Sequence, residues 1–199
     1  MIRFTESGME FEFAEDNCFR IEEDPLVKRS QCKSTSNNMA CECISFIEGH
    51  HCFIEAKKSV PRKADGKVGV VSLNGAPLPK TWEIYDNYQH FLRSICKKFI
   101  DSFYILQAIS EGRHGRQRKE DLSLKEKCVN LDRIRFILII NFPVEKNVEK
   151  QELVTLTEAL KNEMRPFLKI WKIHDSSVKV LLPIDAKTKL NIPISSCSN

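Results

Sequence analysis

The sequence predicts an α/β (α+β) protein in which a mixed central β-sheet is flanked by helices. Three observations carry that prediction. Two β-rich runs, Ala40–Ile47 and Cys52–Lys57, surround the turn Glu48-Gly49-His50 and read as a β-hairpin. From Trp82 to Ile109 apolar residues recur at steps of three and four, the spacing of one helical face. Arg133–Phe142 then holds Ile-Arg-Phe-Ile-Leu-Ile-Ile, apolar enough for burial on both faces of a sheet. A chain of 199 residues suits one domain, 1–199, with a single core.

Taken in order, Ile2–Phe4 and Met9–Phe13 alternate apolar and polar residues as half-buried strands do. Asp16-Asn17 supplies a turn before a third strand, Cys18–Glu22, in which Phe19 and Ile21 share one face and leave Arg20 and Glu22 on the other. Pro25–Asn38 is polar, basic and turn-forming, so it reads as a loop that delivers the chain to the hairpin. Beyond the hairpin, residues 60–81 show no clear period and read as a flexible insertion, with Arg62, Lys63 and Lys67 as a candidate basic flap.

The Trp82–Ile109 helix presents Ile84, Tyr88, Phe91, Ile95, Phe99, Phe103 and Leu106 as a core stripe. Gln89, Arg93, Lys97 and Lys98 flank it and read as solvated helix face ahead of the alternative that Lys97 or Lys98 reaches a site on the sheet, between which spacing does not choose. Glycines end the helix, and residues 112–120 form a basic loop in which Arg113, Arg116, Arg118 and Lys119 are candidate nucleic-acid contacts. Asn147–Trp171 is a second helix that buries Leu153, Leu156, Leu160, Met164, Phe167 and Leu168, with Pro166 expected to kink or break it. Ser176–Leu182 is the last predicted strand, and Ser195–Asn199 a frayed polar tail.

Composition narrows the classes. The N-terminus has no apolar segment of the signal-peptide kind, and the longest strongly apolar run, Phe136–Ile140, is far too short to span a bilayer. A cytoplasmic protein without a membrane partner is expected. Eight cysteines then read as reduced, mostly buried thiols rather than disulfides. Cys41, Cys43, His50, His51 and Cys52 invite a zinc reading, but Cys-x-Cys on a strand lacks the usual two-residue knuckle, and strand packing accounts for the cluster better. No Gly-rich phosphate loop is present, which argues against an ATP-driven activity of this chain alone.

The chemistry gathers on the hairpin. Side chains alternate along a strand, so Glu55 and Lys57 project together while Ile54 and Ala56 point the other way. Glu42 lies on the opposite side from Cys41 and Cys43, and pairing across the hairpin brings it towards Glu55. Glu22, one strand earlier, is a candidate third acid. Carboxylates held together beside an apolar sheet raise one another's pKa, and a divalent cation relieves both costs. Hard oxygen ligands suit Mg2+, or Mn2+, which takes one or two protein carboxylates and completes its shell with water and substrate phosphate. A neighbouring lysine can then position the attacking water.

Glu42 followed by Glu55-Ala56-Lys57 on the next strand resembles the PD-(D/E)xK motif of the restriction-endonuclease-like nucleases. Phe53-Ile54-Glu55-Ala56-Lys57-Lys58-Ser59 is also similar to a Phe-Ile-Glu-Ala-Lys-Ser-Ser signature of uncharacterised bacterial proteins of that class. The resemblance implies a restriction-endonuclease-like core, with Glu42 and Glu55 as metal ligands, the Ala56 backbone carbonyl as a further ligand and Lys57 as the catalytic amine. Cys41 stands where the family often has proline, and Glu42 replaces the usual aspartate. The function implied is metal-dependent hydrolysis of phosphodiester bonds, in DNA ahead of RNA, with a homodimer or a protein partner left open. The alternative is a catalytically inactive nuclease-fold module that binds nucleic acid or a protein partner.

Overall fold

The hairpin is the centre from which the main sheet grows. The computed structural model describes residues 1–23, 40–61, 81–113, 133–142 and 150–196. In chain order these give β1 (Ile2–Glu6), β2 (Met9–Phe13), β3 (Cys18–Phe19), β4 (Cys43–Ile47), β5 (His50–Lys57), α1 (Thr81–Ser110), β6 (Ile134–Ile140), α2 (Lys150–Trp171), β7 (Val178–Leu181), α3 (Pro183–Leu190) and β8 (Ile194–Ser196). Single 3-10 turns lie at Glu15–Asn17, Ile21–Glu23 and Asp175–Ser177. No helix among the described residues is long and apolar enough to cross a membrane. The expected loop Pro25–Asn38 lies outside the described residues, as does all but the edges of the insertion at 60–81.

The main sheet has the order β3-β4-β5-β6-β7 and is mixed. β4 and β5 pair antiparallel with Ile47 opposite His50, so the turn is the two residues Glu48 and Gly49, both at positive φ (50° and 78°). That is the geometry of the tight hairpin turn whose twist matches its strands, and a glycine in its second position carries no side-chain penalty. β5, β6 and β7 run parallel, and β6 is buried on both faces as its sequence predicts. The helical side of the sheet carries Ile44, Phe53, Phe136, Leu138 and Ile140, packed with Leu92, Ile95, Phe99 and Phe103 of α1 and Leu160, Met164 and Phe167 of α2. Phe136 is the hub of that layer, with ring centroids of Phe53, Phe99 and Phe167 at 5.2, 5.5 and 5.9 Å.

The other face rests on a second sheet that the sequence reading does not anticipate. β1, β2 and β8 form a three-stranded antiparallel sheet, and with α3 it buries Cys43, Cys52, Ile54, Ala56, Ile137 and Ile139 against Met9, Phe11, Phe13, Leu190 and Ile194. The molecule is therefore mixed α/β with two sheets, not one sheet flanked by helices alone. Part of the expected tail, Ser195 and Ser196, is the edge strand of this second sheet.

Several element boundaries also move. The third strand is only Cys18–Phe19, and Glu22 falls in the 3-10 turn that follows. The first hairpin strand begins at Cys43, not Ala40, leaving Glu42 at a bend just before it. In consequence Cys41 packs on the helical side and Cys43 on the other, instead of sharing a face. The last predicted strand begins at Val178, since Asp175–Ser177 makes a 3-10 turn. Helix α2 continues through Pro166. Pro166 and Asn162 are both exposed, so the carbonyl freed by the missing N–H faces water, which can satisfy it.

Candidate functional site

The site forms at the C-terminal end of β5, where β4 has not yet begun to pair. Glu55 and Lys57 share the helical face of the strand with Phe53, as alternation requires. Glu55 is fully buried, and its Oε1 forms ion pairs with Lys57 Nζ at 2.7 Å and with Lys98 Nζ at 2.9 Å. Its Oε2 accepts no hydrogen bond among the described residues. Glu42 is also buried, at 3% exposure, and its Oε1 lies 3.6 Å from Lys98 Nζ. Glu22, half-buried, brings its Oε1 to 3.5 Å from the same ammonium. The candidate acids Glu22, Glu42 and Glu55 do come together, and Lys98 is the cation around which they gather.

Lys98 overturns its reading as solvated helix face. It stands three residues after the buried Ile95 and four before the buried Ser102, on the turn of α1 that meets the sheet. Its side chain is 17% exposed, against 46% for its neighbour Lys97, which turns outward and pairs with Asp101 at 2.5 Å. Lys97 thus belongs to the solvent face as expected. Ser102 is a second residue that pattern alone does not single out. Its Oγ accepts the backbone N–H of Cys41 at 2.8 Å and ties the bend that carries Glu42 to helix α1.

The β1–β2 turn closes the site from the opposite face of the sheet. Ser7 and Gly8 both take positive φ (53° and 75°), and Ser7 Oγ donates to the Ala56 carbonyl at 3.0 Å. Asn141, just past β6, donates its backbone N–H to the Lys57 carbonyl at 2.8 Å and its side-chain amide to the Ser7 carbonyl at 3.0 Å. The same turn brings Glu6 near enough to Glu42 to disfavour its ionisation, although no periodicity in the sequence marks Glu6 as part of a site.

The electrostatics follow from burial. Glu42 is pushed up to about 8, first by burial and then by the negative charges of Glu55 and Glu22, with Lys98 working the other way. Burial also raises Glu55, and Lys98 and Lys57 oppose it. For Lys98 burial alone would favour the neutral amine, but Glu55, then Glu42 and Glu22, outweigh it and hold the ammonium. Three carboxylates beside two ammoniums leave one excess negative charge, and a proton on Glu42 removes it.

Compared with known proteins, the chain matches no family model, no curated protein and no solved structure.

The donor set fits a hard divalent ion in kind: two buried carboxylates, one with an oxygen that accepts no hydrogen bond among the described residues. Among the described residues no group of three or more His, Cys, Asp or Glu side chains is arranged as a ready-made metal cage. Magnesium does not require one, since it keeps several waters and takes few protein ligands. The cysteines Cys18, Cys41, Cys43, Cys52 and Cys96 are free and buried, with burial raising the Cys41 thiol.

Of the candidate nucleic-acid contacts, Arg113 is the one among the described residues, and it lies away from this site. Arg113 is exposed and pairs with Glu111 at 2.6 Å beyond the end of α1, roughly 20 Å along the helix from Lys98 at 1.5 Å per residue. Arg62, Lys63, Arg116, Arg118 and Lys119 lie outside the described residues.

Proposed function

We propose that the chain is a metal-dependent nuclease with a restriction-endonuclease-like core, hydrolysing phosphodiester bonds in DNA ahead of RNA. The observation that supports it most directly is the convergence of Glu42, Glu55 and Lys57 at one strand end, where both acids are buried and Glu55 Oε2 accepts no hydrogen bond among the described residues. In this reading Glu42 and Glu55 hold a magnesium or manganese ion. Ala56 offers its carbonyl by sharing the bond it accepts from Ser7. When bound, such an ion withdraws charge from phosphate oxygens and lowers the pKa of water. Lys57, about a third exposed, is the cation of the cluster most open to solvent and substrate, against 17% for Lys98. Its amine orients water and offsets charge developing on the phosphate, while the fixed Glu55 carboxylate aligns the amine. Glu22 is the outer acid that keeps Lys98 paired.

A second reading is favoured by one specific observation. The Lys98 ammonium already meets all three acids, so they are held together without a metal, as suits a silent nuclease-fold module that binds nucleic acid or a protein partner.

Cleavage of labelled single- and double-stranded DNA and RNA in magnesium, manganese or EDTA separates the two. The nuclease reading expects metal-dependent cutting that Glu55→Ala and Lys57→Ala each reduce by at least about 100-fold while the fold persists, the range typical of a lost catalytic proton or charge partner. A folded parent that cuts nothing, or cutting that survives both substitutions, sinks it in favour of the binding module.

A further inference from the structure

The Lys98 ammonium stands in an unusual place. It is delivered from a different layer than the acids it meets, by the buried face of α1, and its Nζ lies 2.9 Å from Glu55, 3.6 Å from Glu42 and 3.5 Å from Glu22. A magnesium-sized ion binds oxygen at about 2.1 Å, so any such ion on Glu55 Oε1 would sit within about 5 Å of both Lys57 Nζ and Lys98 Nζ, and of these two ammoniums Lys98 is the one that also lies against Glu42 and Glu22, between the acids that would hold the ion. Two cations that close in a buried pocket repel strongly, because little water screens them. Both ammoniums approach Glu55 through Oε1, and Oε2, fully buried, accepts no hydrogen bond among the described residues.

We propose that Lys98 is a tethered cation that holds the divalent-ion position in the metal-free protein and must swing out before the ion can bind. This rests on the nuclease reading and adds to it a built-in competitor. The side chain suits the role, since a lysine stem is flexible and its head is a compact point charge. The acids remain in place because Ser102 fixes the bend before Glu42 and strand pairing fixes Glu55. Glu22, at the rim and half-exposed, is the carboxylate that can keep the displaced ammonium paired. The expected consequence is weak resting affinity for metal, tightened whenever a polyanionic substrate draws the ammonium outward.

The test measures Mn2+ binding directly, by the loss of the free-ion electron paramagnetic resonance signal, on the parent, Lys98→Gln, Lys98→Arg and Glu55→Gln, with thermal melting in EDTA as the check on folding. Lys98→Gln is expected to bind Mn2+ at least tenfold more tightly than the parent, Lys98→Arg no more tightly, and Glu55→Gln not at all. Equal affinity in parent and Lys98→Gln, with loss in Glu55→Gln, overturns the competitor and leaves the metal site standing. Weaker binding in Lys98→Gln also overturns it, by making Lys98 an organiser of the acids. No binding by any folded variant at millimolar Mn2+ overturns the metal reading itself, and the competitor with it. If Lys98→Gln does not fold, Mg2+ titration of the parent with 15N-labelled lysine decides. The slowly exchanging buried ammonium signal disappears as the ion binds if Lys98 is displaced, and a signal that persists at saturation refutes the displacement.

Discussion

Replacing Glu42 by glutamine should flatten the dependence of stability on pH. In the unfolded chain this carboxyl ionises near its ordinary value of 4.5, whereas in the fold burial and its acidic neighbours hold it to about 8. Between those two values the native state keeps a proton that the unfolded state has lost, so stability falls as pH rises through the window. The slope is about 1.4 kcal/mol per pH unit, and over the whole interval the loss reaches on the order of 5 kcal/mol, with the opposing pull of Lys98 already included. Glutamine has the shape of the protonated acid and no charge to bury. At pH 5 in EDTA the variant should match the parent within about 1 kcal/mol; at pH 9 it should be more stable by ~2–5 kcal/mol, a large part of the ~5–15 kcal/mol that holds a domain together. Urea unfolding at pH 5, 7 and 9 measures the difference at each step. A difference that does not change with pH, or a glutamine variant that is the less stable one at pH 9, would refute the account, because it would mean that Lys98 fully accommodates the ionised acid.

Further outcomes follow from the same geometry. Ser102→Ala should cost about 1–3 kcal/mol in denaturant unfolding, since it strands the buried Cys41 N–H, and should loosen Glu42 without touching the pocket itself. Phe136→Ala should cost about 3–5 kcal/mol, because it empties the centre of the aromatic layer between the sheet and both helices. Gly8→Ala should lower stability by about 1 kcal/mol or more by calorimetry: the φ of 75° disfavours a side chain, and its Cβ would stand 3.2 Å from the Asn141 amide that anchors the turn. An unchanged melting temperature in that variant would show that the turn does not depend on Asn141.

How far the site could be read from the chain depended on the range of each contact. Glu55 and Lys57 are two residues apart on one strand, so strict alternation gave their shared face, and the hairpin read at Glu48-Gly49-His50 brought Glu42 towards them, although the pairing stops at Cys43 and Glu42 arrives from the bend before it. Lys98 was ranked with the solvated face by the same rule that found its helix, and spacing could not separate it from Lys97. An apolar stripe sorts charged residues outward, and only the tertiary presence of three acids reverses that choice at one turn. Glu6 and Ser7 were invisible for another reason: the Ser7 bond to Ala56 spans 49 residues, with no local pattern to announce it. The second sheet and α3 escaped because an eight-residue helix gives little periodicity, and because β8 is three residues long with its partner far upstream. Pro166 misled in the opposite direction, since a helix packed along one side tolerates a missing bond on its wet side.

The second sheet also carries a consequence for the order in which the molecule can be made. Its outer strand β8 is held by β2, and Ser195 meets Glu10 across a separation of 185 residues. The layer on which Ala56 rests therefore stays unfinished during synthesis until nearly the whole of the described chain has left the ribosome, long after the hairpin with Glu55 and Lys57 has emerged. An incomplete chain would display a β2 edge without its neighbour and an apolar underside to the strand that bears the acids, both invitations to sticking. Only a chain that reaches Ile194 can seal the floor beneath its own carboxylates.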